Sequence, residues 1–467
     1  MNTGETGIIY SKLIYYHSNS VDLMTSEILI MNKEAIALAA DSAASLNDAK
    51  IFRANKIFTL SKYAPVGIMI YGNSAFQGIP WETIIKEFRK KLSITKYDSV
   101  QDYSNQFIDF LIRDNGLLNQ NDEHNFFLFY LNIYFDFIVN QIRETIKNQI
   151  VTNHKISDDE IIKNSLALIK KQQDIWEKAS FHANKDSKSI DEFVKKYRKD
   201  IDNVFLQKFE KFAQIIKNDP QYRKDYDDVF KISACYFLKY SNEINFPSLS
   251  GIVIAGFGER EIFPSYVSYT LWMRIDNFLK YVDGFKGRIT IQSPANIVPF
   301  AQGEMVNLFM EGIEPKYQQV IYSTITELFQ KYPDYVIENF KKIDEKEKND
   351  LISTLKGKNE AILKEFFDKL SLHKQQNNVQ PILDVVTNLP RDELAGMAES
   401  LINLTSFKKR VSMQAENVGG PIDVAVITKG DGFIWIKRKH YFKPELNPQF
   451  FANYYREERN ISGEGSK

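Results

Sequence analysis

The chain has 467 residues, 60 basic side chains balanced by 60 acidic ones, and one cysteine. That length holds two or three domain-sized units, or one domain with large insertions, and the balanced charge supplies no global field drawing the chain to nucleic acid or an anionic membrane. The lone Cys235 excludes an intrachain disulfide and fits a reducing compartment; in its helical surroundings it reads as a small buried apolar residue.

No run reaches the ~18 uninterrupted apolar residues of a membrane-spanning helix. Residues 126–139 come nearest and are interrupted by Asn132 and Asp136. The start of the chain has no basic stretch followed by an apolar one, so a cytoplasmic location is the expectation. Residues 1–23 are polar with apolar patches at 8–10 and 13–16, an extra hairpin or an arm. From 25 onward the pattern is β: runs 28–31 and 35–40 flank the polar turn Asn32, Lys33 and Glu34 and predict a hairpin, and further strands are predicted at 56–60 and 66–71 before Gly72. Thr25, Asp41 and Lys56 each fall at the edge of a predicted strand, where a hydroxyl, a carboxylate and an ammonium can converge.

Apolar residues at helical spacing predict a helix over 76–92, with Pro80 near its start, where its missing N–H costs little. Between 98 and 243 long periodic segments predict helices near 99–114, 124–150, 157–183, 188–217 and 222–242, the aromatic run at 126–139 being buried on more than one side. Strand character returns at 247–275, and a short strand at 287–292 precedes a helix starting near Gly303. Residues 314–389 are helical and charged. Pro390 opens a helix with Asp392 and Glu393 in its first turn and Lys408, Lys409 and Arg410 near its end, as the helix dipole favours. A turn at 419–421, a strand at 422–428, a loop at 429–432 and a returning strand at 433–437 end the patterned chain; 443–467 reads as a flexible tail.

Taken in order, several short motifs carry a resemblance: T-x-x-I from Thr25, A-L-A-A-D ending at Asp41, N-K-I around Lys56, G-N-S-A from Gly72, I-A-G-F-G at 254–258, and G-G-P-I-D-V-A-V-I-T-K-G-D-G at 419–432. Together they resemble the proteasome-type N-terminal-nucleophile hydrolases, the superfamily of proteasome β-subunits and the bacterial HslV peptidase. The resemblance implies an α+β fold, a four-layer αββα sandwich, whose discontinuous core is 25–96, 246–312 and 390–440. Helical insertions would occupy 98–243 and 314–389, an N-terminal extension or propeptide 1–24, and a tail 443–467. It also implies a threonine peptidase or amidase acting on a peptide or protein substrate: Thr25 as nucleophile once residues 1–24 are removed, Asp41 and Lys56 as its support, and the Gly72 N–H as oxyanion donor. The helical insertions are candidates for contact with a second copy or a protein partner.

The chemistry of that set is coherent. A threonine hydroxyl needs a base to take its proton, and a free α-amine on the same residue, with a pKa near ~8, can do so. An ammonium beside the hydroxyl favours the developing alkoxide, and a carboxylate orients that ammonium. Other readings remain open: Asp41 as a turn cap before Ser42, Lys56 as a surface lysine, Gly72 as a plain positive-φ turn, and Ser26 as a substitute nucleophile. The residue before Thr25 is Met24 rather than the glycine usual at self-cleaving junctions. Gln302, Ala415 and Val418 stand where the family has small polar residues, with Glu416 or Asn417 as substitutes. The alternative to a hydrolase is therefore a non-catalytic scaffold. The six histidines lack ligand spacing and residues 255–260 read as a hairpin turn, so no metal or cofactor is expected.

Overall fold

The computed structural model describes residues 25–46, 50–113, 116–117, 119–153, 156–182, 186–241, 243–244, 249–338, 344–411, 420–440, 442–449 and 452. The expectations for residues 1–24, for Ala415, Glu416, Asn417, Val418 and Gly419, and for most of the tail lie outside them. The chain forms two compact units: 60–261 with 265–288 in the first, and 25–59, 262–264 and the residues from 289 in the second.

The architecture is mixed α/β with antiparallel sheets. Strands β1 (Ser26–Asn32) and β2 (Ala35–Ala40) open the second unit. The first unit contributes β3 (Val66–Gly72), α1 (Trp81–Leu92), α2 (Val100–Arg113), α3 (Gln120–Asn153), α4 (Asp158–Lys178), α5 (Ser187–Asn218), α6 (Arg223–Leu238), β4 (Ser250–Gly256), β5 (Ser265–Ile275) and β6 (Phe278–Arg288). The second unit resumes with β7 (Ala295–Ala301), α7 (Glu304–Glu311), α8 (Pro315–Glu338), α9 (Glu345–Lys374), α10 (Gln380–Val386), α11 (Arg391–Val411), β8 (Asp423–Thr428) and β9 (Gly432–Lys437).

In the second unit the sheet order is β7-β1-β2-β8-β9, antiparallel throughout. The β1–β2 turn is organised by Asn32, whose Oδ1 accepts from Glu34 N at 2.9 Å and Ala35 N at 3.2 Å while its Nδ2 donates to the carbonyls of Val386 and Leu389. Alternation along the strands then sorts the side chains. Ile28, Ile30, Ala35, Ala37 and Ala39 pack with Leu394, Ala395, Ala398, Leu401 and Ile402 of α11. The alanines on both elements let helix and sheet approach closely. The acidic first turn and basic last turn of α11 stand as expected.

Neither β6 nor β7 was anticipated. Pro299 argues against a ladder, since it offers no N–H, yet β7 carries it on a sheet edge, where that loss is tolerated. The strand expected at 287–292 overlaps only the last two residues of β6, which ends at Arg288, and a turn follows in which Ser293 N donates to Thr290 Oγ1 at 3.0 Å.

In the first unit four antiparallel strands run β6-β5-β4-β3. Gly251 of β4 faces Tyr71, and a Cβ there would fall 1.9 Å from the Tyr71 ring, so the position requires glycine. The five helices expected between 98 and 243 are present as α2–α6, with α5 kinked at Glu210 (φ 46°). Their aromatic residues merge into one core containing Phe127, Tyr134, Phe135, Trp176, Phe205 and Tyr236. Phe129 is the one large exposed aromatic on these helices among the described residues, whereas exposed Tyr317, Tyr332 and Tyr335 lie on α8. Cys235 is buried, and burial pushes its thiol up to about 11.

A buried ion pair ties β5 to the helices. Arg274, 1% exposed, places Nη2 2.6 Å from Glu123 Oε1 and donates through Nη1 to the Leu111 carbonyl at 3.1 Å. Arg274→Ala strands the Glu123 carboxylate and is expected to cost about 3–5 kcal/mol in urea unfolding. The apolar pair Arg274→Met with Glu123→Leu should cost less than Arg274→Ala alone.

Candidate functional site

The residues of interest in the second unit gather where β1 begins and β2 ends. The β1–β2 ladder pairs Glu27 with Ala40, and two further hydrogen bonds extend the junction: Asp41 N donates to the Ser26 carbonyl at 3.1 Å, and Ser26 N donates to Asp41 Oδ1 at 3.1 Å. The Asp41 carboxylate is thereby aimed back along β1. Ser42 Oγ donates to the Pro421 carbonyl, fixing the chain after Asp41 to the segment that leads into β8. On the other side of β1, Gln302 N donates to the Thr25 carbonyl at 3.3 Å, so the start of β1 is held by both neighbours.

Thr25 and Glu27 are two residues apart in extended chain and share the face of β1 opposite α11. Thr25 Oγ1 donates to Glu27 Oε2 at 3.1 Å. Lys56, immediately before the short strand Ile57–Thr59, brings Nζ to 3.0 Å from Glu27 Oε1 and bonds Asp41 Oδ1. The result is a continuous series from hydroxyl to carboxyl to ammonium to carboxylate. All four residues are buried, Lys56 at 5% exposure being the most accessible.

Burial decides the electrostatics of Glu27. Loss of water raises its carboxyl most, Lys56 pulls it back down, and Asp41 raises it again, leaving it at about 8. Burial alone would lower Lys56, but the charges of Glu27 and then Asp41 outweigh that, so the ammonium is held above its ordinary value. Lys56 is therefore a fixed cation and not a proton acceptor. Reading it as a surface lysine is corrected by its two buried partners.

Glu27 was not singled out in the sequence. Its signal is a carboxylate directly before the apolar run 28–31, in a strand, Ser26–Asn32, in which every residue is buried. Gly72 belongs to the first unit, where it ends β3 opposite Ser250 with φ +79°. Among the described residues no group of three or more His, Cys, Asp or Glu could hold a metal ion.

No protein-family model matches the sequence, and no curated protein matches it. Among solved structures, the helical assembly of the Anbu complex from Pseudomonas aeruginosa aligns over 93% of this chain and 96% of its own, at 7% identity and a TM-score of 0.31. Anbu (ancestral beta-subunit) from Yersinia bercovieri aligns over 95% and 98%, at 7% identity and a TM-score of 0.25. These values are too low to carry an argument. The expected membership in the proteasome-type N-terminal-nucleophile hydrolases is corrected accordingly: no family match supports it, and the structural similarity is too weak to replace one. The motifs behind that expectation are short strand ends and hairpin turns, which antiparallel sheets reuse widely.

The raised carboxyl has a thermodynamic consequence. Between the ordinary value of 4.5 and about 8, folded Glu27 keeps a proton that the unfolded chain releases, so its contribution to stability is present below 4.5 and is lost as pH rises through 8. Glu27→Gln removes that titration. Thermal melts at pH 5, 6, 7 and 8 should show the variant gaining steadily on the wild type; a difference that stays constant, or that moves in the wild type's favour, would mean that Lys56 holds Glu27 ionised.

Proposed function

We propose that the chain is a threonine hydrolase, a peptidase or amidase, with Thr25 as nucleophile, Lys56 as the fixed positive charge that favours the developing alkoxide, and Asp41 as the residue that positions Lys56. The observation that carries this reading is the buried ammonium held between two carboxylates, one of which accepts the Thr25 hydroxyl. Such a cluster is an expensive way to fill a core, because well-packed apolar residues are often as stabilising or more so. Buried titratable groups with displaced pKa values next to a hydroxyl are the arrangement nucleophilic catalysis needs. Removal of residues 1–24 would add an α-amine to Thr25 as a further base. Gly72 has no role in this proposal.

The proposal takes with it a peptide or protein substrate, a cytoplasmic setting for the single buried thiol, and the four-layer αββα arrangement of a core at 25–96, 246–312 and 390–440. Burial favours a second reading, a non-catalytic scaffold in which the same ion cluster is structural: Thr25 is 2% exposed, and both carboxylates are occupied by Lys56.

Two forms of the protein separate these readings: the full chain, and a chain translated from Met24, from which methionine aminopeptidase exposes Thr25. With small peptide and amide substrates, the Thr25-first form is expected to turn over. Thr25→Ala should abolish that turnover, and Lys56→Met should lower kcat by about 10²-fold or more. Turnover that survives Thr25→Ala removes Thr25 as the nucleophile, and none in either form leaves the scaffold.

A further inference from the structure

Resting on the hydrolase reading, we infer that Glu27 is the general base for Thr25, accepting the hydroxyl proton directly through Oε2. The geometry meets the usual requirements one by one. The Thr25 Oγ1 to Glu27 Oε2 distance of 3.1 Å is within reach for proton transfer. The base is oriented by a third group, Lys56 Nζ, 3.0 Å from the other carboxyl oxygen. Lys56 is in turn held by Asp41, and Asp41 by the backbone N–H of Ser26. Nucleophile, base and two supports thus form one ordered series, built on the end of a five-stranded sheet rather than on a mobile loop.

The two oxygens of Glu27 have different jobs. Oε1 faces a cation, so a proton taken by the carboxylate is best kept on Oε2, the oxygen that already meets Thr25. In the ionised form the hydroxyl donates to Oε2; in the neutral acid Oε2 donates back. That reversal is what a shuttle must do. Burial also keeps the carboxyl near neutrality, at about 8, where a base is strong enough to take a hydroxyl proton and still ionised in useful amount.

The reaction balances with these groups alone. Glu27 takes the Thr25 proton as Oγ1 bonds to the substrate carbonyl carbon. The acid then gives that proton to the nitrogen as the C–N bond breaks, freeing an amine and leaving an ester on Thr25. Water repeats the sequence: Glu27 takes its proton, the hydroxyl oxygen bonds to the ester carbon, the C–Oγ1 bond breaks, and the proton returns to Oγ1.

The test uses the Thr25-first form, in which the α-amine competes for the same task, and compares wild type with Glu27→Gln and Glu27→Asp. Hydrolysis of a nitrophenyl ester and of a peptide amide is followed from pH 5 to 10, with acylation of Thr25 by a β-lactone mapped by mass spectrometry. Glu27→Gln should lower kcat by about 10²–10⁴-fold and remove the limb that rises through pH 8, while Glu27→Asp, which keeps the carboxylate but shortens its reach, should retain the limb at a reduced rate. Melting curves establish that the variants are folded; a variant that unfolds is replaced by the β-lactone pH profile of the wild type, whose rising limb must then shift down on adding Asp41→Asn, which removes a negative neighbour of Glu27. Wild-type turnover with Glu27→Gln within a few-fold of it, or with the limb unchanged, overturns the inference, makes the amine the base and leaves the hydrolase reading intact. No turnover and no acylation in any form overturns both.

Discussion

Keeping one ammonium out of water is the constraint on which the rest of the second unit depends. A buried lysine that keeps its charge must find negative partners within hydrogen-bonding distance, because the desolvation penalty is several kcal/mol per ion. Here Glu27 and Asp41 supply them, and each is delivered by a strand end that cannot move independently. The ladder between β1 and β2, the reciprocal bonds of Ser26 and Asp41, and the tether from Ser42 to Pro421 make the cluster an extension of the sheet. Two carboxylates against one ammonium leave an excess of negative charge. Burial resolves it by pushing Glu27 toward its neutral acid, so the same imbalance that costs stability produces a carboxyl titrating near neutrality.

Much of this was legible in the residues. Alternation and polar turn residues are local signals, so the β1–β2 hairpin, the strands near 66–71 and 422–428 and the long helices between 98 and 243 could be read without any partner in view. Asp41 and Lys56 stood out for the same reason, as polar residues at strand edges. Glu27 did not, because its meaning depends on a cross-strand register and on a lysine far along the chain. β7 was hidden by Pro299, which is a strand breaker everywhere except an edge. The fate of the aromatic residues at 126–139 was legible as burial, but not as burial complete enough to leave only Phe129 widely exposed, since that depends on how α3–α6 meet.

The family resemblance failed for a related reason. A carboxylate after a buried strand, a glycine with positive φ at a strand end and a Gly-Asp-Gly hairpin are each solutions to local backbone problems. Gly72 at φ +79° and Gly432 at φ +78° illustrate how such residues recur wherever a chain must turn. Their order along the chain suggested kinship, yet order among short motifs weighs little beside the lack of any family match. Chemistry argued from the cluster itself does not need that kinship.

The period-two alternation of β1 also sets what can change in this chain over time. Thr25 and Glu27 face one side of the sheet, and Ile28 and Ile30 face α11 on the other. Gain or loss of a single residue between Thr25 and Asn32 would exchange the two sides upstream of the change, turning a carboxylate toward Ala395 and Ala398 and withdrawing it from Lys56. Lengthening the tip at Lys33 and Glu34 leaves both ladders in phase, because the bond pattern on either side of the hairpin is set by its neighbours. Descendants of this sequence are therefore free to vary in the loop and bound to a fixed count in the strand.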